Sequence, residues 1–303
     1  GSYMNSENLS DLETFRKRRE LFVGIDSDGC AFDTMEVKHK ECFVPEFIER
    51  FDLRGVSSAA RDSWEFVNLY SQNRGTNRFK GLIASLELLR RHPETARTGT
   101  AVPELPALRR WIDSSSSHGN PALEATINEA PADSAERSEL EQVLAWSKAV
   151  NKRLAVAVRN IPPFRYVRES LDRLHQLADL VVVSQSIGES LRREWREHDL
   201  HRYVSVIAGQ EQGTKEEHLR RTVGDRYGRG RVLVVGDAPG DLRAARSVAA
   251  LFFPILPGRE QESWKRFYTE GIDRFCDGSF PGTYEAELLA SFESVLPERP
   301  DWL

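Results

Sequence analysis

Leu21-Phe22-Val23-Gly24-Ile25-Asp26-Ser27-Asp28-Gly29 decides the architecture of this chain. Five apolar residues follow the charged segment Arg16 to Glu20 and stop abruptly at an acidic cluster. A short continuous apolar run of this kind reads as a strand buried on both faces, the habit of parallel sheets. Three similar runs lie in the last third of the chain, at Leu180 to Val183, Tyr203 to Ala208 and Val232 to Val235. Leu251-Phe252-Phe253 makes a fifth. Helical patterns precede or separate them at Tyr166 to Leu177, Gly188 to Glu197 and Lys215 to Asp225. Strand alternating with helix predicts an α/β domain, a doubly wound parallel sheet with helices on both faces.

Between these parts the pattern changes. From about Asp33 to Arg165 no strand run of comparable quality occurs. Trp64, Val67 and Tyr70 share one helical face, and Phe79, Leu82, Ile83, Leu86 and Leu89 share another. Glu136 to Lys152 reads as a further helix. The stretch Pro93 to Pro121 is rich in Gly, Pro, Ser and Thr, including Ser114 to Ser117. It reads as a long surface loop with one short helix near Leu105 to Trp111. The expected organisation is an α/β core of residues 1–33 and 166–303, with a helical insertion of residues 34–165. No internal repeat is visible.

Composition narrows the functions. The 303 residues allow about two domains. Forty-two basic and 47 acidic residues give a net charge of −5, against the basic excess of a general nucleic-acid binder. No apolar stretch approaches the ~20 residues that span a bilayer. No secretory leader is evident, and Gly1-Ser2-Tyr3-Met4 reads as an expression scar before a natural methionine. Cys30, Cys42 and Cys276 are odd in number and scattered, so neither a disulfide framework nor a metal spacing follows. A reducing cytosol is the expected home. The seven histidines form no ligand-like cluster, and Arg109-Arg110 and Arg192-Arg193 read as plain surface charge.

Ligands of open parallel sheets bind beyond the carboxyl ends of the strands. Asp26 and Asp28 follow the first strand, Ser184 follows Val181-Val182-Val183, and Gly236-Asp237-Ala238-Pro239-Gly240-Asp241 follows another. A single Asp after a strand is ordinarily a turn or cap residue. Two acidic clusters after two strands, with a hydroxyl after a third, are harder to explain that way. Four converging carboxylates repel unless a cation sits among them, and an all-oxygen set suits Mg²⁺. Lys215 opens a helix behind Thr214, which has capping-box spacing to Glu217. A cation there opposes the helix dipole by ~0.3–1 kcal/mol, so an anion should meet it.

The order Asp26-Ser27-Asp28-Gly29, Ser184, Lys215, Gly236-Asp237 with Asp241 resembles the four motifs of the haloacid dehalogenase-like hydrolase superfamily. The resemblance covers the whole chain, because the helical insertion looks like that family's cap domain. It implies Asp26 as nucleophile, forming an aspartyl-phosphate, and Asp28 as the acid and then the base. It implies Ser184 and Lys215 as partners of the phosphoryl group. Asp26, the backbone carbonyl of Asp28, and Asp237 would hold Mg²⁺, with Asp241 a ligand or a group behind the ligands. Cys30 stands where the family usually carries Thr or Val, and the insertion is longer than common. A carboxylate at Asp28 favours phosphate esters over halides or phosphonates.

One segment of the insertion points to substrate. Asn73-Arg74-Gly75-Thr76-Asn77-Arg78-Phe79-Lys80-Gly81 packs three cations and two amides at an expected helix N-terminus. The cations oppose the dipole there unless an anion compensates; the plainer reading is a solvated helix end. Arg74, Asn77, Arg78 and Lys80 are thus the candidate substrate residues. The expected activity is a Mg²⁺-dependent phosphatase acting on a small phosphorylated metabolite, a hydroxylated one such as a sugar phosphate. A phosphomutase with the same nucleophile, and a binding protein on the same fold, are the alternatives.

Overall fold

The computed structural model describes residues 12–303. The reading of Gly1 to Met4 lies outside the described residues. The chain forms two compact units, one of residues 12–33 with 160–296 and one of residues 34–159 with 297–303.

The first unit has a 3₁₀ turn at Leu12–Thr14 and then β1 (Leu21–Ile25). The second follows, with helices α1 (Val44–Arg50), α2 (Ser57–Glu65), α3 (Arg78–Arg91), α4 (Pro93–Thr98), α5 (Pro106–Ser114), α6 (Asn120–Glu129) and α7 (Ala135–Ala157). Its core is aromatic: Phe43, Phe47, Trp64, Phe79 and Trp146 are buried in ring-to-ring contact. The stretch expected as a long loop with one short helix holds that helix, α5, and also α4 and the start of α6. Pro93, Pro106 and Pro121 mislead because each sits in a first helical turn, where no intrahelical amide bond is lost. His92 caps α4, its Nδ1 accepting the Glu94 amide at 3.1 Å.

The first unit resumes at Asn160 and adds α8 (Val167–Leu174), β2 (Ala178–Val183), α9 (Gly188–Glu197), β3 (Val206–Ala208), α10 (Lys215–Val223) and β4 (Val232–Gly236). Then come α11 (Pro239–Ser247), β5 (Leu251–Pro254), α12 (Glu260–Arg266), α13 (Ile272–Asp277) and α14 (Thr283–Glu293). The five strands pair in parallel in the order β3-β2-β1-β4-β5. β3 is shorter than the apolar run implied. It is an edge strand pairing only over Val206 to Ala208, while His201 to Tyr203 turn as a 3₁₀ helix.

Both faces of the sheet are buried, as continuous apolar strands require. Val23, Ile25, Val182 and Val235 pack with Leu171 of α8, Trp195 of α9 and Trp264 of α12. Phe22, Val181, Val183 and Val234 pack with Leu219 of α10, Ala244 of α11 and Phe292 of α14. Each large side chain so buried contributes about 1.5–3 kcal/mol before chain entropy is set against it. The edge of β5 is covered by Glu285, which accepts the Phe252 amide at 2.8 Å. Among the described residues no helix is long and apolar enough to cross a membrane. The three cysteines are free thiols.

Candidate active site

In the order β3-β2-β1-β4-β5 the chain leaves β1 to one side for β2 and reaches the other side with β4. The carboxyl end of β1 is therefore the switch point where open α/β sheets form crevices. Ile25 is in register with Val182 and Val235, so Asp26, the turn after β2 and Asp237 emerge together. The Asp26 amide continues the ladder, donating to the Val235 carbonyl at 3.0 Å.

Asp26, Asp237 and Asp241 each offer a carboxylate oxygen within 4.8 Å of the others. All three are buried, Asp241 completely. Lys215 lies among them, its Nζ 2.6 Å from Asp241 Oδ1 and 3.4 Å from Asp26 Oδ1. It is the first residue of α10, behind Thr214, whose hydroxyl accepts the Glu217 amide at 3.1 Å. Asp241 lies in the first turn of α11, and its Oδ2 accepts the amides of Asp237 and Ala238 at 3.1 Å each. A carboxylate there meets the positive end of the helix dipole.

This arrangement needs Gly236. A β-carbon on it would stand 2.4 Å from the Asp241 side chain, so only glycine lets that carboxylate fold over the end of β4. The turn after β1 is held by the Ser27 carbonyl, which accepts the amides of Ala31 and Phe32, with Gly29 at φ 72°. Trp195 Nε1 donates to Ser27 Oγ at 2.9 Å.

Charges in the site are unbalanced. Burial, then the Asp241 and Asp237 charges, push the Asp26 carboxyl well above its usual range, with Lys215 opposing. Burial raises Asp241 as well, against the pull of Lys215. Burial disfavours the Lys215 ammonium, but the carboxylates of Asp241 and Asp26 outweigh that and hold it firmly charged. Three carboxylates around one ammonium form an oxygen-only donor set with excess negative charge. A hard divalent cation fits such a set, and its charge would return the carboxyls to the ionised form.

Asp28 is half-buried, and its Oδ2 accepts a hydrogen bond from Ser186 Oγ. The Ser186 amide in turn donates to Ser184 Oγ at 3.0 Å, and Gln185 Nε2 donates to the Gly213 carbonyl at 3.0 Å. The structure thus links Ser184 to Asp28 through Ser186, a residue the sequence reading passed over. A second hydroxyl two positions after the first was the available signal. Cys30 lies below, its thiol raised chiefly by burial and then by the Asp26 charge; its carbonyl accepts the Trp264 Nε1 proton at 2.7 Å.

The four candidate substrate residues belong to the helical unit. Asn77 caps α3, accepting the Phe79 amide and donating to the His118 carbonyl, both at 2.9 Å. Arg78 donates to Ser147 and Asn151 of α7 and lies over the Phe43 ring. Arg74 is buried and donates to the Leu69 carbonyl at 2.9 Å. Lys80 is exposed.

A family model for haloacid dehalogenase-like hydrolases matches residues 112–253. That stretch holds Ser184, Lys215, Asp237 and Asp241, all at the sheet edge just described. Over that stretch the chain is similar to the haloacid dehalogenase-like hydrolases. No curated protein matches it. Among solved structures, a haloacid dehalogenase-like hydrolase from Bacteroides fragilis is 16% identical, over 81% of this chain and 93% of that one, with a TM-score of 0.50. A predicted phosphoglycolate phosphatase from Haemophilus somnus is 12% identical over 77% and 84%, with a TM-score of 0.46. The magnesium-bound hydrolase YfnB from Bacillus subtilis is 11% identical over 83% and 100%, with a TM-score of 0.43. At 16% identity the Bacteroides structure speaks to fold alone. The chemistry of this chain must be argued from its own residues.

Proposed function

We propose that this protein is a Mg²⁺-dependent phosphatase that hydrolyses a small phosphorylated metabolite through an aspartyl-phosphate. The carrying observation is the buried set of Asp26, Asp237 and Asp241 around Lys215 at the switch point. Asp26, Asp237 and the Asp28 carbonyl would hold the cation, with Asp241 a ligand or a support behind them. Bound there, Mg²⁺ supplies charge neutralisation for the phosphoryl oxygens.

The residues do the rest. A carboxylate oxygen of Asp26 attacks phosphorus as the ester P–O bond breaks, and Asp28 gives its proton to the departing alkoxide. Asp28 then takes a proton from water, whose oxygen attacks the acyl phosphate, releasing inorganic phosphate and restoring Asp26. Ser186 holds the Asp28 carboxyl in place during both transfers. Ser184 and Lys215 bind the phosphoryl oxygens, and Lys215 is pre-set for this because the carboxylates keep it charged. Phosphoryl transfer is largely a matter of position and charge, which this set provides.

Beyond the phosphate, the segment Arg74 to Lys80 reads the substrate. Lys80 is the exposed cation, and Arg74, Asn77 and Arg78 fix the backbone that presents it. Hydroxylated esters such as sugar phosphates suit this polar segment. The test is a panel of phosphate esters assayed for released phosphate with Mg²⁺. Turnover of a subset, lost in Asp26→Asn, supports the reading. Activity needing a bisphosphate primer, with little phosphate released, would replace it with a mutase; no turnover at all would leave a binding protein.

A further inference from the structure

The amino ends of the strands, opposite the acidic cluster, carry a cavity of about 510 Å³. Small-molecule sites usually measure ~300–1,000 Å³. It is lined by the first residues of β2, by the turn before β3 and by the charged segment that precedes β1. β2 has six residues, so the cavity lies about 20 Å from the turn that carries Ser184.

The charges lining it are one-sided. Arg16, Arg18, Arg19 and Arg202 line the cavity with His175, against one carboxylate, Asp179. That carboxylate is committed elsewhere. It is 4% exposed, and its Oδ2 accepts the amides of Arg18 at 3.0 Å and Arg19 at 3.1 Å and the Tyr227 hydroxyl at 2.6 Å. Asp179 thereby fixes the backbone of the basic segment without neutralising its side chains. Arg202 is paired with exposed Asp199 at 3.3 Å, and His175 stands 3.8 Å from Asp172. Arg16 donates to the carbonyls of Glu13 and Phe15. Among the described residues, none of Arg16, Arg18 and Arg19 has a carboxylate within ion-pair distance. Such a concentration of positive charge, in a chain of net charge −5, repels itself until an anion enters.

We propose that this cavity binds a small oligophosphate, a compact anion of three or more negative charges. Guanidinium forks match phosphate oxygens two at a time, which a lysine cannot do. Concavity and volume select a small molecule over a polymer, which would want an extended strip with exposed aromatic platforms. Phe15 and Tyr203, the aromatic residues of this cavity, are buried. The ligand is distinct from the phosphate ester proposed above, because it sits at the other end of the strands.

The experiment is calorimetric titration of the full chain in EDTA and 0.15 M salt, with tripolyphosphate and ATP as probes. Without a divalent cation the acidic cluster repels both anions. The expected result is one-to-one saturation, weakened at least tenfold in R18A/R19A, a variant that keeps the two amides held by Asp179. R18K/R19K should recover part of the affinity, and S184A should titrate as wild type. ATP binding tenfold tighter than tripolyphosphate would assign a nucleotide; equal affinities would assign a bare polyphosphate. Absence of saturable binding, or equal affinity in R18A/R19A, overturns the proposal. So does weakening in S184A alone, which would put the anion at the acidic site. Single-stranded RNA that tripolyphosphate fails to displace would assign the face to a polymer and overturn it too.

Discussion

Asp26 combines two properties that pull in opposite directions. As a nucleophile it must be ionised, yet burial and the neighbouring Asp241 push its carboxyl upward. Asp26→Asn should therefore lower turnover by at least about a thousandfold, because the bond-forming oxygen is gone. The same substitution should raise the melting temperature of the metal-free protein by roughly 2–4 °C per kcal/mol of relieved repulsion. Phosphate release and calorimetry check the two halves; retained turnover would remove Asp26 as nucleophile. His218 carries the opposite sign of pH dependence. It is fully buried on α10, with Nε2 bonded to the Gly209 carbonyl at 3.0 Å. Burial, chiefly, lowers it from the usual 6.5 to about 4. The unfolded chain thus takes up a proton between pH 6.5 and 4 that the folded chain refuses. Stability present above pH 6.5 is lost as the pH falls toward 4, by about 3 kcal/mol. Asp26 and Asp241 titrate in the other direction, so His218→Gln, which leaves the carboxyls in place, isolates the effect. Denaturation of both proteins at pH 7 and pH 4.5 should show a steeper loss in the wild type. Parallel losses would exclude His218 as the source.

At the scale of elements, the strands were legible because both sheet faces are buried, which leaves continuous apolar runs such as Val181-Val182-Val183. Of the helices in Pro93 to Pro121 only α5 was legible; α4 and the start of α6 were not, because a proline that opens a helix and one that breaks a chain look alike in a sequence. The acidic clusters were legible from their place after strands. Ser186 was not, since its bond to Asp28 exists only once the register of β1 and β2 brings the two turns together. Gly236 shows what the GD pair means physically, and Gly236→Ala tests it. The added β-carbon would collide with the Asp241 side chain and push that carboxylate off the N-terminus of α11. A loss of about 2 kcal/mol or more is expected, combining a lost cap with overpacking, together with weaker metal binding. Unchanged stability would mean that the turn yields freely. In the helical unit, Arg78→Ala and Lys80→Ala should part company. Arg78 ties α3 to Ser147 and Asn151, so its loss should cost about 1.5–3 kcal/mol of stability. Lys80 is exposed, so its loss should leave stability within about 0.5 kcal/mol. The same substitution should reduce kcat/KM for the true ester more than for a small aryl phosphate. Equal kinetic losses on both esters would return Lys80 to the solvated surface.

On the scale of the whole molecule, charge and fold meet at one edge of the sheet. The fold brings Asp26, Asp237 and Asp241 from two strand ends to within 4.8 Å and pairs Asp26 and Asp241 with Lys215. Fully ionised, the four groups carry two net negative charges in a buried place, which burdens the folded state and not the unfolded one. A divalent cation removes that burden only in the folded protein, so it must stabilise the fold by mass action. Adding Mg²⁺ at a hundred times its dissociation constant should raise stability by about 2.7 kcal/mol, with turnover returning in parallel. Ca²⁺ should stabilise too, because the oxygen donors accept it. Its larger and looser coordination should misplace the attacking oxygen, so turnover should stay low. Asp237→Asn should lose both responses, since it leaves two carboxylates facing one lysine and little charge for a cation to balance. Melting curves and phosphate release, recorded on the same metal titration, separate binding from catalysis. Full activity and an unmoved midpoint after exhaustive chelation would take Asp237 and Asp241 out of any metal site.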